Sequence, residues 1–146
     1  MRLFLDSSAL LAAAGSDRGA SRAVFAYRSA NRWELLTSAY CVAEVQRNLC
    51  RLPDERSGEK AWEMTILPAL QAVTDVVALD RPLVLDATKD RPIVITALAE
   101  ECAYLLTLDR RDFKSLLGRD VYGLRIHTPG SFLAEMRAKR NLIEPG

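Results

Sequence analysis

Two aspartates each stand directly after a short apolar run: Asp6 follows Leu3, Phe4 and Leu5, and Asp109 follows the stretch from Tyr104 to Leu108. An acid at the carboxyl end of a strand sits where open parallel sheets place their binding crevice. Each reads equally well as a helix N-cap, because aspartate is favoured there and helical segments are expected to follow both. Asp112, three residues after Asp109, reads first as part of a capping-box-like arrangement with it. Glu44 lies beside Cys41 on a helical wheel, at the margin of the apolar stripe Cys41, Val42, Val45 and Leu49, so its carboxylate points along a packed face. Asp90 shares a face with Ile93, Val94 and Ala97 at a helix start, where a cap is the competing reading. Brought to one crevice, these acids would repel: two unit charges about 4 Å apart cost roughly 4 kcal/mol at an effective dielectric near 20. Such a group must take up protons, relax apart or bind cations, and hard oxygen ligands select Mg²⁺ or Mn²⁺.

The rest of the composition narrows the chemistry. The single histidine, His127, excludes histidine-based metal clusters, and Cys41, Cys50 and Cys102 form no C-x-x-C pair. An odd cysteine count fits reduced thiols, and the expected location is cytoplasmic. Asp6 interrupts the apolar N-terminal run, which argues for a strand and helix instead of a secretion signal, and no stretch approaches the ~20 apolar residues of a membrane span. Twenty Lys and Arg against nineteen Asp and Glu leave a net charge of +1, so a nucleic-acid partner must be met by a local patch.

The elements that would position the acids follow from periodicity. Leu3 to Leu5 predicts a first strand, with a helix starting at Ser7 or Ser8; a helix runs from Ser16 to about Arg28; Leu35 and Leu36 give a second strand, and Thr37 or Ser38 caps the helix carrying Glu44. Pro53 to Gly58 reads as a turn-rich, mobile linker. Trp62, Ile66, Leu70 and Val73 are spaced as one face of a longer helix that Pro68 kinks or breaks. A short strand is expected at Val76 to Leu79, helical signals from Pro82 to Ala87, a helix from Asp90 or Pro92 through Leu98, strands at Tyr104 to Leu108 and Leu124 to His127, and an amphipathic helix from Ser131. Strands alternating with helices imply parallel pairing, because a parallel crossover needs a dozen or more residues. At 146 residues, 49% hydrophobic and 27% charged, the chain is expected to form one α/β domain over residues 1–146, a three-layer sandwich with a mostly parallel central sheet, with residues 139–146 as a flexible tail.

Four segments together carry a family resemblance: FLDSSALLAA, TSAYCVAEVQRNL, KDRPIVITALAEECAYLLTLDRRDF and IHTPGSFL. In this order and spacing they resemble the successive blocks of a PIN domain, from Arg2 to about Leu133. The resemblance implies an acidic quartet of Asp6, Glu44, Asp90 and Asp109, with Asp112 as an occasional fifth metal ligand. Ser7 and Thr107 match the small hydroxyl residues that stand beside the first and last acids. Asp90-Arg91-Pro92 stands where many relatives have Asp-Ala, which makes Asp86, one helical turn earlier, the alternative acid. The implied reaction is hydrolysis of RNA phosphodiesters with Mg²⁺ or Mn²⁺, leaving a 5′ phosphate and a 3′ hydroxyl. Arg91, Arg110, Arg111 and Lys114 border the acids and are the expected phosphate contacts, with Arg47 and Arg51 past Glu44, although each reads individually as a solvated surface residue. Trp33, Trp62 and Tyr104 fit core packing better than base stacking.

A phosphatase with an aspartate nucleophile would also place an acid after the first strand, but it usually wants a second Asp two residues on, where this chain has Ser8. A receiver-type domain would need a lysine at a late strand end, and Lys114 is not so placed. A non-catalytic PIN-like module binding RNA or protein is a further reading, against which the intact quartet argues. The compact single-domain form resembles the VapC-like toxins of bacterial toxin-antitoxin pairs, which implies a homodimer and a small antitoxin partner. A free-standing RNA-processing nuclease is the alternative, and a short basic or DNA-binding protein encoded directly upstream would separate the two.

Overall fold

Leu3, Phe4 and Leu5 are all fully buried. Successive residues of a strand face opposite ways, so both faces of the sheet at this strand are covered. The computed structural model describes residues 1–76 and 91–145, with Arg91 described by its backbone alone. The order is β1 (Arg2–Leu5), α1 (Ser7–Gly15), α2 (Ala20–Asn31), β2 (Glu34–Ser38), α3 (Ala39–Asn48), α4 (Glu55–Ala61), β3 (Leu70–Val73), α5 (Arg91–Ala99), β4 (Tyr104–Leu106), β5 (Asp120–Val121), β6 (Leu124–His127) and α6 (Pro129–Ala138). The strands form one six-stranded sheet in the order β3-β2-β1-β4-β6-β5, parallel throughout except for the β5–β6 pair. The three-layer α/β sandwich expected from the alternation is the one observed.

Parallel pairing brings the carboxyl ends of β1, β2, β3, β4 and β6 to the same edge of the sheet, and hydrogen bonds fix the ends to one another. Thr37 Oγ1 donates to Leu5 O at 2.8 Å. Asp6 N donates to Leu106 O at 3.1 Å, and Thr107 N to His127 O at 3.0 Å. Ser38 caps α3 by accepting from Cys41 N at 3.2 Å, as the sequence suggests. Replacing it with alanine removes one satisfied helix-end donor. Ser38→Ala is therefore expected to lower stability by about 1 kcal/mol, read as a fall in the urea midpoint with an unchanged slope.

Two local expectations are corrected. The segment expected to be a mobile linker contains α4, which Asp54 caps by accepting from Ser57 N at 3.1 Å. The long helix through Leu70 does not form. After α4 the chain makes a π turn at Trp62–Ile66 and a 3₁₀ turn at Leu67–Ala69, then enters β3, which pairs with β2 from Leu35↔Leu70 to Ser38↔Val73. Pro68 stops the helix, and the open edge of β2 takes the residues beyond it. The strand expected at Val76 to Leu79 and the helix at Pro82 to Ala87 fall outside the described residues apart from Val76, whose amide donates to Thr96 Oγ1 at 2.9 Å on α5.

Trp33, Trp62 and Tyr104 are buried in the core, as expected; Trp33 and Tyr104 each meet Phe132 of α6 edge-on, with ring centroids 5.0 and 4.9 Å apart. Beyond α6, Asn31 and Ile143 exchange a pair of hydrogen bonds at 2.7 and 2.8 Å, and Arg137 pairs with Glu144.

Candidate active-site cleft

Asp6 terminates β1 and begins α1. Its Oδ1 accepts from Ala9 N at 3.1 Å, so the capping role is real. The same carboxylate is almost wholly buried, at 3% exposure, and takes Ser8 Oγ on Oδ1 at 2.6 Å and Thr107 Oγ1 on Oδ2 at 2.5 Å. Burial pushes its pKa up to about 6, against the three hydrogen bonds that lower it, and the charge of Asp109 raises it further. A carboxylate offers about four lone-pair sites, so three donors leave Asp6 with acceptor capacity to spare.

Asp109 follows β4. Its Oδ1 accepts from the amides of Arg111 and Asp112 at 3.1 and 3.0 Å, and its own amide donates to Thr107 Oγ1 at 3.0 Å. Only half of the capping box expected of the Asp109–Asp112 pair forms, since the Asp109 amide turns to Thr107 and not to the Asp112 side chain, and the chain beyond it runs through turns instead of the expected helix. Glu44, half-buried on α3, is held by Ser7 Oγ at 3.3 Å. Thr107 therefore serves the first and last acids together, while Ser7 serves Glu44 and the neighbouring Ser8 serves Asp6.

Asp6, Ser7, Glu44, Asp109 and Asp112 line a single cleft of about 520 Å³, joined by Tyr40, Asp75, Pro92 and Ile93. Asp90 and Asp86 lie outside the described residues, as does the Arg91 side chain. Arg110, Arg111 and Lys114 are exposed on the turns after Asp109 and are not among the groups lining the cleft. His127 faces elsewhere, with Nδ1 3.1 Å from Ser131 and Nε2 3.5 Å from Glu135.

Sequence pattern alone does not single out Asp75, Tyr40 or Ser8. Asp75 stands two residues beyond β3, near the sheet edge as Asp109 is beyond β4, and only the recognition of β3 as a strand would mark it.

The lining thus presents five carboxylates and, among the described residues, no lysine, arginine or histidine. None of the five belongs to an ion pair found among those residues. No three of them are gathered tightly enough there to form a finished metal cage. The donors are all oxygen, the negative charge is unbalanced, and Asp6 and Asp109 each retain free lone pairs. That chemistry fits a hard divalent cation and gives thiophilic metals nothing to bind.

The family model described as PIN domain matches residues 2–111. Among solved structures, the chain is similar to VapBC2 from Rickettsia felis bound to a DNA fragment from their promoter, with a TM-score of 0.59 at 14% identity over 88% of this chain and 98% of the other. It is also similar to PAE2754 from Pyrobaculum aerophilum, with a TM-score of 0.60 at 19% identity over 94% and 90% of the two chains. At such identities the likeness is one of fold. No curated protein matches. The matched span takes in β1 with Asp6, α3 with Glu44 and β4 with Asp109, and the chain belongs to the PIN-domain family.

Proposed function

We propose that the protein is a Mg²⁺- or Mn²⁺-dependent endoribonuclease that hydrolyses RNA phosphodiester bonds. The observation that carries this reading is the cleft at the sheet edge, lined by carboxylates with no basic side chain among the described residues to neutralise them. Asp6, Glu44, Asp109 and Asp112 are the proposed ligands, with Asp90 joining them by family resemblance. Divalent ions, when bound, supply an activated water and offset charge on the phosphodiester and on the departing 3′ oxygen. The carboxylates hold metal and do not attack the substrate. Ser8 and Thr107 fix Asp6, Ser7 fixes Glu44, and the turn amides of Arg111 and Asp112 fix Asp109, so the ligand side chains lose little freedom on binding. Arg110, Arg111 and Lys114 beside Asp109, with Arg91 at the start of α5, are the proposed phosphate contacts.

The likeness in fold to VapBC2 supports the further reading that this nuclease is the toxin of a bacterial toxin-antitoxin pair. A small antitoxin protein is then the expected partner, a homodimer the expected assembly and the cytoplasm the expected location. Among the described residues no helix is long and apolar enough to cross a membrane.

Incubation with a structured RNA in Mg²⁺, Mn²⁺ or EDTA tests the activity. Cleavage is expected only with metal, leaving 5′ phosphate and 3′ hydroxyl ends. Undiminished cleavage in EDTA, or 2′,3′-cyclic phosphate ends, would overturn the mechanism.

A further inference from the structure

Tyr40 occupies the first turn of α3 and lines the acidic cleft, the residue as a whole 53% exposed. The other aromatic residues singled out in the sequence, Trp33, Trp62 and Tyr104, are spent on the core. Exposure here does not mean looseness. The Tyr40 amide donates to Asp75 Oδ2 at 3.1 Å, which anchors the backbone that carries the ring. Tyr40 and Glu44 are also four apart on one helix face, where side chains meet. Pro92 and Ile93 from α5 add apolar surface to the same cleft. The space is therefore a slot with an acidic lining, an exposed aromatic ring on an anchored backbone and apolar groups, and at about 520 Å³ it is within the size range of small-ligand sites.

We infer that Tyr40 is the stacking platform for the nucleobase flanking the scissile phosphate, the contact by which this cleft holds that base unpaired. This deepens the nuclease reading and rests on it. A phosphate held by metal on Glu44 has its own nucleoside within reach of the adjoining ring, and every base has a face to stack on an aromatic ring. A base inside a duplex is already stacked and is withheld from such a slot. Stacking of this kind tolerates any base, so Tyr40 contributes affinity for strand form and not for sequence. The competing role, a prop for Glu44, depends on the phenolic oxygen alone.

The two roles separate in kinetics on a single-stranded oligoribonucleotide, intact or with an abasic residue beside the mapped cut. Tyr40→Ala is expected to raise KM on the intact strand about five- to a hundredfold with a smaller change in kcat. Tyr40→Phe and Tyr40→Trp keep KM within about threefold of wild type. The abasic strand should cost wild type a comparable factor and cost Tyr40→Ala nothing further. Equal impairment of Tyr40→Phe and Tyr40→Ala, carried in kcat and indifferent to the abasic site, would overturn the inference in favour of the prop. So would a KM for Tyr40→Ala equal to that of wild type. If the wild type cleaves nothing, the nuclease reading fails separately, and a binding measurement still decides. Trp33 and Trp62 are buried, so quenching of the exposed indole in Tyr40→Trp by the single strand, and not by its duplex, supports the platform. No quenching by the single strand refutes it.

Discussion

Asp6→Asn is expected to leave a folded protein whose RNA cleavage in Mg²⁺ is slower by about a hundredfold or more. The size of the loss follows from the proposed role of the metal: activation of a water by a bound divalent ion would contribute several kcal/mol to lowering the barrier, and each 1.36 kcal/mol is about tenfold in rate. Folding should survive because the amide keeps the oxygen that Ser8 and Ala9 N use, while its NH₂ can donate to Thr107 Oγ1, a hydroxyl able to turn and accept. Asp109→Asn should behave alike, since an amide oxygen still receives the amides of Arg111 and Asp112 and the turn is kept. On the proposed reading, in which the two acids act through one metal site, the double variant should fall little below either single one. Single-turnover cleavage with circular dichroism of each variant is the measurement. Activity equal to wild type in both single variants would remove the metal-carboxylate mechanism.

The sites of these substitutions are legible because strands buried on both faces read as unbroken apolar runs, so β1 and β4 can be found and the acid after each stands out. Glu44 is legible for a related reason: its helix has an apolar stripe, and a carboxylate on the margin of that stripe calls for a partner. Elsewhere, tertiary packing outweighs local pattern. Gly58 looks like a turn signal beside Pro53, Asp54 and Ser57. In the fold it is a buried helical residue against which Leu52 packs so closely that an added Cβ would lie 2.4 Å from Leu52 Cδ1. Leu70 and Val73 continue the helical spacing of Trp62 and Ile66, and only the pairing with β2 makes them a strand.

The hidden character of β3 has a functional cost, since Asp75 owes its place in the cleft to the strand before it. β5 escapes the pattern because it has two residues and its turn is Tyr122-Gly123 instead of an asparagine-glycine pair, although both residues take the left-handed conformation at φ 55° and 89°. Ser8 draws notice in the sequence only as the position of an absent acid, whereas its hydroxyl is a partner of the acid that is present.

The burial of an acid in the cleft should also be measurable without substrate. Asp6 has a pKa of about 6 in the folded protein against the ordinary aspartate value of 3.8, a rise caused first by burial. A raised acid pKa means that the folded state holds its proton more tightly than the unfolded chain. Its contribution to stability is thus intact below about pH 4 and is lost as pH climbs through 6, by roughly 3 kcal/mol at about 1.36 kcal/mol per pH unit. His127, whose burial lowers its pKa below 6.5, acts in the opposite direction near the same pH, so the wild-type curve alone is a poor witness. Asp6→Asn removes the first effect and leaves the second. In EDTA the variant should match the wild type near pH 4 and exceed it at about pH 7.5, by up to the same roughly 3 kcal/mol. Divalent metal at about a hundred times its Kd should restore about 2.7 kcal/mol to the wild type and much less to the variant. Denaturation curves that keep a constant gap between the two proteins from about pH 4 to 7.5, and that ignore Mg²⁺ and Mn²⁺, would mean that the buried carboxylate is content without a cation.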